Sequence, residues 1–385
     1  PALIDALART ADPDQAFLGF DRFLSELPSS VQLFSLLKQH PGLLELMAAI
    51  MGTAPRLARI LSKRRRVLDA VLAPGFFGTL PSAQDLDNVI ASQITSAGDF
   101  QEALDNARLV GTEQAFLIGV RVLTDTISAA HAGGAYALLA EHLISAMQTV
   151  VERDLARAHG RVPGAAAVTI AMGKLGGREM TAASDLDLIV IYDFDPEAQT
   201  SDGLKPLAPT QYYTRFTQRL ISALSSQTAE GNLYDVDMRL RPSGQKGPVA
   251  TQLSSFVEYQ RREAWTWEHM ALTRARVITG PAELRARVDR AIREALTLPR
   301  DQARIAADVR DMRQRIENEK GTQDIWDLKQ VRGGLVDLEF IAQYLQLIHA
   351  HRHPDVLSTN TVTALSNLQQ AGLLERPLKL HQARD

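Results

Sequence analysis

Three short stretches near the middle of this chain break a helical periodicity that holds on either side of them. Ala167-Val168-Thr169-Ile170-Ala171-Met172 is a continuous apolar run closed by Gly173, the pattern of a buried strand that ends in a tight turn. Asp185 to Tyr192 reads as a second strand, and Leu233 to Leu240 as a third with clean alternation. A polar loop near 195–208 and a helical stretch from Gln211 to about Ser225 separate the last two. Before these strands, apolar residues recur at helical spacing: Phe17, Phe20, Phe23 and Leu24; Leu33, Leu36 and Leu37; Leu43, Leu44 and Leu46; Leu57, Ile60 and Leu61; Phe116, Val120 and Val122. Pro41-Gly42, Pro74-Gly75 and Gly133-Gly134 punctuate them. Helical spacing returns from Ser254 and continues to the end. The expected organisation is an α+β fold: a helical region over 1–160, a small mixed sheet over 161–253, and a second helical region over 254–385 that is expected to be truncated; a chain opening on Pro1 directly in helical material reads as a piece of a longer polypeptide.

With 385 residues, 45% of them hydrophobic and 23% charged, the chain can bury a substantial core. Its net charge of −3 supplies no global basic field, so a polymerase or RNA-tailing role gets no support and no nucleic-acid partner is expected. There are no cysteines, which excludes disulfides, thiolate metal sites and a cysteine nucleophile. That composition fits a reducing, cytoplasmic setting. No apolar run reaches the length of a membrane span.

The chemistry is concentrated at Asp185-Leu186-Asp187. Aspartates two apart on a strand point to one face, while Leu186 and Leu188 point to the other. Adjacent carboxylates raise each other's pKa unless a cation lies between them, and oxygen-only donors suit Mg²⁺. Alone, Asp-x-Asp also describes a pair of exposed acids at a strand start. Upstream, Gly173-Lys174-Leu175-Gly176-Gly177 follows the first strand. Glycines let backbone amides approach a phosphate, and Lys174 adds a positive charge; the plain alternative is a surface turn. Downstream, the alternation of Tyr234 to Arg241 places Asp235, Asp237, Arg239 and Arg241 on one face. If this strand neighbours the Asp-x-Asp strand, Asp237 supplies a third carboxylate and the arginines can meet phosphate oxygens. Three carboxylates beside a glycine turn equip a site for two-metal nucleotidyl transfer.

Gly173, eleven further residues and then Asp185-x-Asp187, with a third Asp on a later strand, resembles the polymerase-β-type nucleotidyltransferase signature. The longer strings are more specific. Gly173 to Glu179, Ser184 to Leu188, Asp237-Met238-Arg239-Leu240-Arg241-Pro242-Ser243-Gly244 and Gly333-Gly334-Leu335-Val336-Asp337-Leu338-Glu339-Phe340 together resemble the glutamine synthetase adenylyltransferase family. Those proteins carry two similar halves, one removing AMP by phosphorolysis and one attaching it. Glu263 to His269, the Pro242-Ser243-Gly244 continuation, and Phe20 to Leu24 with Val31 to Phe34 resemble the attaching half. The resemblance implies transfer of AMP from ATP to a tyrosine of glutamine synthetase. It implies two Mg²⁺ ions on Asp185, Asp187 and Asp237, and nucleotide contacts from Gly173, Lys174, Gly176, Gly177, Ser184, Arg239 and Arg241. It also implies the nitrogen-regulatory PII protein as a partner of the full-length enzyme. The rival functions are phosphorolytic removal of AMP and a non-catalytic PII-sensing module, which would not need all three aspartates. An Asp-nucleophile phosphatase fits poorly, because its aspartates end a hydrophobic strand whereas here the apolar residues follow them.

Other candidates have plainer readings beside the functional ones. Trp265, Glu268, His269, Leu272 and Arg276 lie near helical spacing, and a tryptophan helix with one histidine is more often core than catalytic. Arg274 and Arg276 could face a triphosphate or simply cap the helix's acidic neighbours. His349, His351 and His353 suggest a metal but alternate at a helix end, so they do not share a face. Lys63-Arg64-Arg65-Arg66 reads as a solvated face, with an acidic partner as the sharper alternative. Asp337 and Glu339 open a helix with an expected core stripe of Leu338, Ile341, Leu345 and Ile348.

Overall fold

The computed structural model describes residues 2–26, 34–35, 37–38, 41–63, 67, 70–71 and 80–374. Leu33, Leu36, Pro74-Gly75, Val31 to Leu33 and Arg64 to Arg66 lie outside the described residues; Lys63 is exposed at a helix end. Four helices come first: α1 (Ala2–Ala8), α2 (Pro13–Ser25), α3 (Pro41–Thr53) and α4 (Pro55–Lys63). Phe20, Phe23, Leu43, Met47 and Leu61 close a core of their own, with Phe17 left 59% exposed on the far side of its helix. Three more helices follow, α5 (Ala83–Ile90) and the longer α6 (Phe100–Leu123) and α7 (Ala129–His159). Phe116 and Val120 of α6 pack into the first core, while Ala103, Leu104 and Val110 of the same helix join the central one. Gly133 and Gly134 lie inside α7 and do not interrupt it. Gly133 instead lets the helix approach residues 178–180, whose backbone lies 3.4 Å from where a Cβ would stand.

The sheet begins with β1 (Ala166–Ala171), followed by the single-turn helix α8 (Gly173–Gly176) and β2 (Leu186–Asp193). Then come α9 (Pro209–Ser225), β3 (Val236–Asp237) and β4 (Ala250–Gln252). The C-terminal part comprises α10 (Leu253–Arg262), α11 (Thr266–Leu272), β5 (Arg276–Val277), α12 (Ala282–Leu296), α13 (Gln302–Lys320), α14 (Leu335–His349) and α15 (Thr361–Gln370). β1 pairs antiparallel with β2 on one side and with β5 on the other. Along its other edge β2 runs parallel to β3 at its start and to β4 further on. The result is a mixed five-stranded sheet of an α+β fold, with helices before and after it.

Strand alternation divides the sheet's two faces between two cores. Leu186, Leu188, Val190 and Tyr192 of β2 join the core built with α7 and α9. Ile189 and Ile191 join Phe256, Met270, Val288 and Leu347 on the other face. Both faces are therefore dry, which explains runs that read as continuously apolar. Arg108 is fully buried and donates to the carbonyls of Ala223, Ser226 and Gly231, closing the C-terminus of α9 and anchoring the loop that leads to β3.

Several local expectations are corrected. The third strand does not run from Leu233 to Leu240; only Val236 and Asp237 pair. The chain turns back because Arg239 N donates to Asp237 Oδ1 and Arg241 N to Met238 O, so Arg239 and Arg241 do not share a strand face with Asp237. β4 and β5, two or three residues long, were too short to show any periodicity, and Arg276 lies on β5 and not on the Trp265 helix. Trp265 itself is 69% exposed. On α14 the buried residues are Ala342, Gln346 and Leu347, one position off the expected stripe, and Ile341 is exposed. No helix among the described residues is long and apolar enough to cross a membrane.

Candidate active site

The register of β2 and β3 builds the site. Leu186 pairs with Val236 and Asp187 with Asp237. In a parallel ladder, register partners project to the same face, so the two carboxylates stand side by side. Asp185 lies two residues earlier on the same face. Asp185, Asp187 and Asp237 bring carboxylate oxygens within 4.8 Å of one another, the only such acidic or histidine group among the described residues. Leu186 N donates to Asp235 O (2.9 Å) and Met172 N to Asp187 O (2.9 Å), so the neighbouring strands hold the pair from both sides. Asp235 itself is exposed and takes a bond from Asn232.

The electrostatics follow from two half-buried acids, Asp187 and Asp237, crowded beside the exposed Asp185. The Asp187 carboxyl is pushed up to about 6, first by burial and then by the charges of Asp185 and Asp237. Asp237 moves the opposite way, held below the usual carboxylate range by hydrogen bonds from the Arg239 side chain. Arg239 reaches both Asp237 oxygens, with Nε 2.7 Å and Nη2 2.5 Å from Oδ2 and its backbone N 2.8 Å from Oδ1. An oxygen-only set of carboxylates that repel each other, one of them raised into the neutral range, is a donor set suited to a hard divalent cation.

The glycine turn abuts these acids. Gly173 has φ +52°, and a Cβ there would run into Asp187 Oδ2, so both backbone shape and contact require glycine. Lys174 lies on the same turn, and its ammonium has no hydrogen-bond or ion-pair partner among the described residues. Gly176 and Gly177 serve packing: a Cβ on Gly176 would strike the Arg274 carbonyl, and Gly177 lies against Thr359 O and the Arg274 guanidinium. Ser184 accepts from Thr181 N (2.9 Å), closing the loop before Asp185. Arg241 is buried, and its guanidinium donates to Met238 O, Gln245 O and Gly247 O. It braces the loop after β3.

Sequence reading missed the support behind the turn. Glu179 accepts from Arg274 (2.5 Å), from Asn360 Nδ2 (3.0 Å) and from Thr361 N (3.0 Å). Arg274, 5% exposed, also pairs with Glu339 of α14 (3.1 Å). This buried junction ties the residue after the glycine turn to the last two helices. Glu179 stood inside the glycine string, but its partner Arg274 is 95 residues away, and no local pattern marks such a pair. Arg276 likewise pairs with Glu141 and donates to Leu175 O and Gly176 O. Both arginines thus pair with acids remote in sequence, Glu179, Glu339 and Glu141, and not with acidic neighbours on the Trp265 helix. His269 is buried, donates from Nε2 to Gln260 O and accepts at Nδ1 from Arg300. Burial and Arg300 push it down to about 4, so it is neutral and locked in one tautomer. Asp337 is held by Arg313 and Gly333 N. His349, His351 and His353 form no metal-binding group.

A mixed sheet whose middle strand carries Asp-x-Asp, with a third Asp in register on a parallel neighbour and a glycine turn at the end of an antiparallel one, defines a nucleotidyltransferase-type core. The family model for glutamate-ammonia ligase adenylyltransferase matches residues 44–291, and the chain belongs to this family. A second model, for the GlnD PII-uridylyltransferase, matches residues 304–379. The chain is 52% identical over 374 residues to the bifunctional glutamine synthetase adenylyltransferase/adenylyl-removing enzyme of Rhodopseudomonas palustris (strain TIE-1). It is 52% identical over 376 residues to the protein of that name from Xanthobacter autotrophicus, and 50% identical over 376 residues to that of Bradyrhizobium sp. (strain BTAi1). The alignments cover 97–98% of this chain and 38% of each relative, so the chain spans well under half the length of the proteins it matches.

Proposed function

We propose that this chain attaches AMP from ATP to a tyrosine hydroxyl of glutamine synthetase and releases pyrophosphate. The observation that carries the reading is the convergence of Asp185, Asp187 and Asp237 within 4.8 Å beside the Gly173 turn. The names of the relatives support ATP and glutamine synthetase as substrates. In the reaction the phenolic oxygen forms a bond to the α-phosphorus, the bond from that phosphorus to the bridging oxygen breaks, and the phenol proton is lost. Two Mg²⁺ ions, held by Asp185, Asp187 and Asp237, would supply charge for the leaving pyrophosphate and lower the pKa of the attacking hydroxyl. The chain's own part is positional. The turn beginning at Gly173 offers close backbone approach, and the ammonium of Lys174 gives a positive charge for phosphate oxygens. Gly176 and Gly177, packed on Arg274, keep the turn in place, and Ser184 fixes the loop that delivers Asp185. Arg239 pairs with Asp237 beside the same space, and Arg241 holds the loop that carries it.

The PII protein is proposed as a regulator of the longer enzyme, supported by the likeness of residues 304–379 to the PII-uridylyltransferase. The setting that goes with these substrates is the cytoplasm. The relatives are also named as adenylyl-removing, which favours phosphorolysis as the second reading. Incubation with glutamine synthetase, ATP and Mg²⁺ should add the mass of AMP to the target. The same protein given adenylylated glutamine synthetase and phosphate should yield no ADP. Labelling that survived in an Asp185→Asn, Asp187→Asn variant would end the proposal.

A further inference from the structure

We propose that Arg239 is a latch on the acidic site, holding Asp237 until a divalent cation takes that carboxylate and then turning its guanidinium to the triphosphate. The inference rests on the reading of the triad as a metal site. Both Asp237 oxygens are already engaged by Arg239, Oδ1 by its backbone N and Oδ2 by Nε (2.7 Å) and Nη2 (2.5 Å). Among the described residues no arginine hydrogen-bonds or pairs with Asp185 or Asp187, as Arg239 does with Asp237. A cation that needs a lone pair of Asp237 Oδ2 meets two N–H groups and a positive charge, so the two occupants compete for one oxygen. The guanidinium cannot resolve this by losing its proton. It must rotate away.

Its surroundings permit that rotation. The Arg239 side chain is 70% exposed against 16% for Asp237, and among the described residues that carboxylate is its only side-chain partner. Arg241, two residues on, is the contrast: buried and tied to three backbone carbonyls, it has no freedom to move. The backbone bond from Arg239 N to Oδ1 survives the rotation, so Asp237 stays aimed while Oδ2 is released. A planar fork set free at the rim of a triphosphate site is well shaped for phosphate oxygens.

Direct Mn²⁺ binding to the intact chain, read by electron paramagnetic resonance without nucleotide, tests the latch in wild type, Arg239→Lys and Arg239→Gln. Lysine keeps the charge but lacks the fork. The expected result is that both variants bind Mn²⁺ more tightly than wild type, by roughly fivefold for lysine, the weight of a well-formed exposed ion pair. With Mn²⁺ saturating, both should bind a non-hydrolysable ATP analogue more weakly. Unchanged or weaker Mn²⁺ binding by Arg239→Lys overturns the latch. Tightening in Arg239→Gln alone also overturns it, since removal of charge then accounts for the effect. Absence of Mn²⁺ binding at millimolar concentration in wild type and in both variants sinks the metal-site reading itself, an outcome distinct from the other two.

Discussion

Asp187 offers the sharpest physical test of the site, because it is folded at a cost that can be measured without any substrate. Its carboxyl is raised from 3.8 to about 6, chiefly by burial and then by Asp185 and Asp237. A raised folded-state pKa means that folding favours the protonated form. Its contribution is intact below pH ~4 and is lost as pH rises through about 6. A hundredfold change in proton affinity corresponds to ~3 kcal/mol, an upper figure for a carboxyl that keeps some solvent. Asp187→Asn keeps the shape and removes the charge. In EDTA at pH 8 the variant should therefore be more stable than wild type by up to ~3 kcal/mol, and the two should converge near pH 4. With an unfolding entropy near 0.8 kcal/mol/K for a chain of this length, that is a rise in Tm of roughly 3–4 °C. Differential scanning calorimetry from pH 4 to 8 reads the difference directly. Adding Mg²⁺ should raise the wild-type Tm and leave the variant nearly unmoved, reversing the order. Melting curves that stay parallel across the whole pH range would refute the crowding of charge on which the site rests.

Two further outcomes follow from the packing around the turn. Gly173→Ala places a β-carbon against Asp187 Oδ2 at φ +52°; it should cost ~1–2 kcal/mol of stability and, by displacing a carboxylate, lower AMP transfer on the order of 10²-fold in a steady-state assay. Arg274→Ala removes the arginine that pairs with buried Glu179 and should lose about 3–5 kcal/mol in urea unfolding. A double-mutant cycle with Glu179→Gln should show coupling above ~1 kcal/mol, and additive effects would deny the junction.

How far the chain could be read in advance depended on the range of the interactions involved. The buried strand before Gly173, the Asp-x-Asp strand and the helix at 209–225 all show in the residues, because burial on fixed faces imposes periods of two or 3.6 on local sequence. The placement of Asp185 and Asp187 on one face, opposite Leu186 and Leu188, is a consequence of strand geometry alone. The long third strand was a misreading of the same kind of pattern. Alternation continues through Arg241, but pairing stops at Asp237 because the Asp237 side chain captures the backbone of Arg239.

Local pattern carries no information about which strands become neighbours. Asp237 reaches Asp187 through a register set 50 residues away along the chain, with Arg108 anchoring the intervening loop from a helix far upstream. Glu179 and Arg274 meet across 95 residues, and β4 and β5 are too brief to leave a period. The residue types that can hold a cation are written in the linear chain. Their convergence, the raised Asp187 and the arginine on Asp237 arise from contacts between distant segments, whose partners are chosen by the packing of both sheet faces and not by any residue's immediate neighbours.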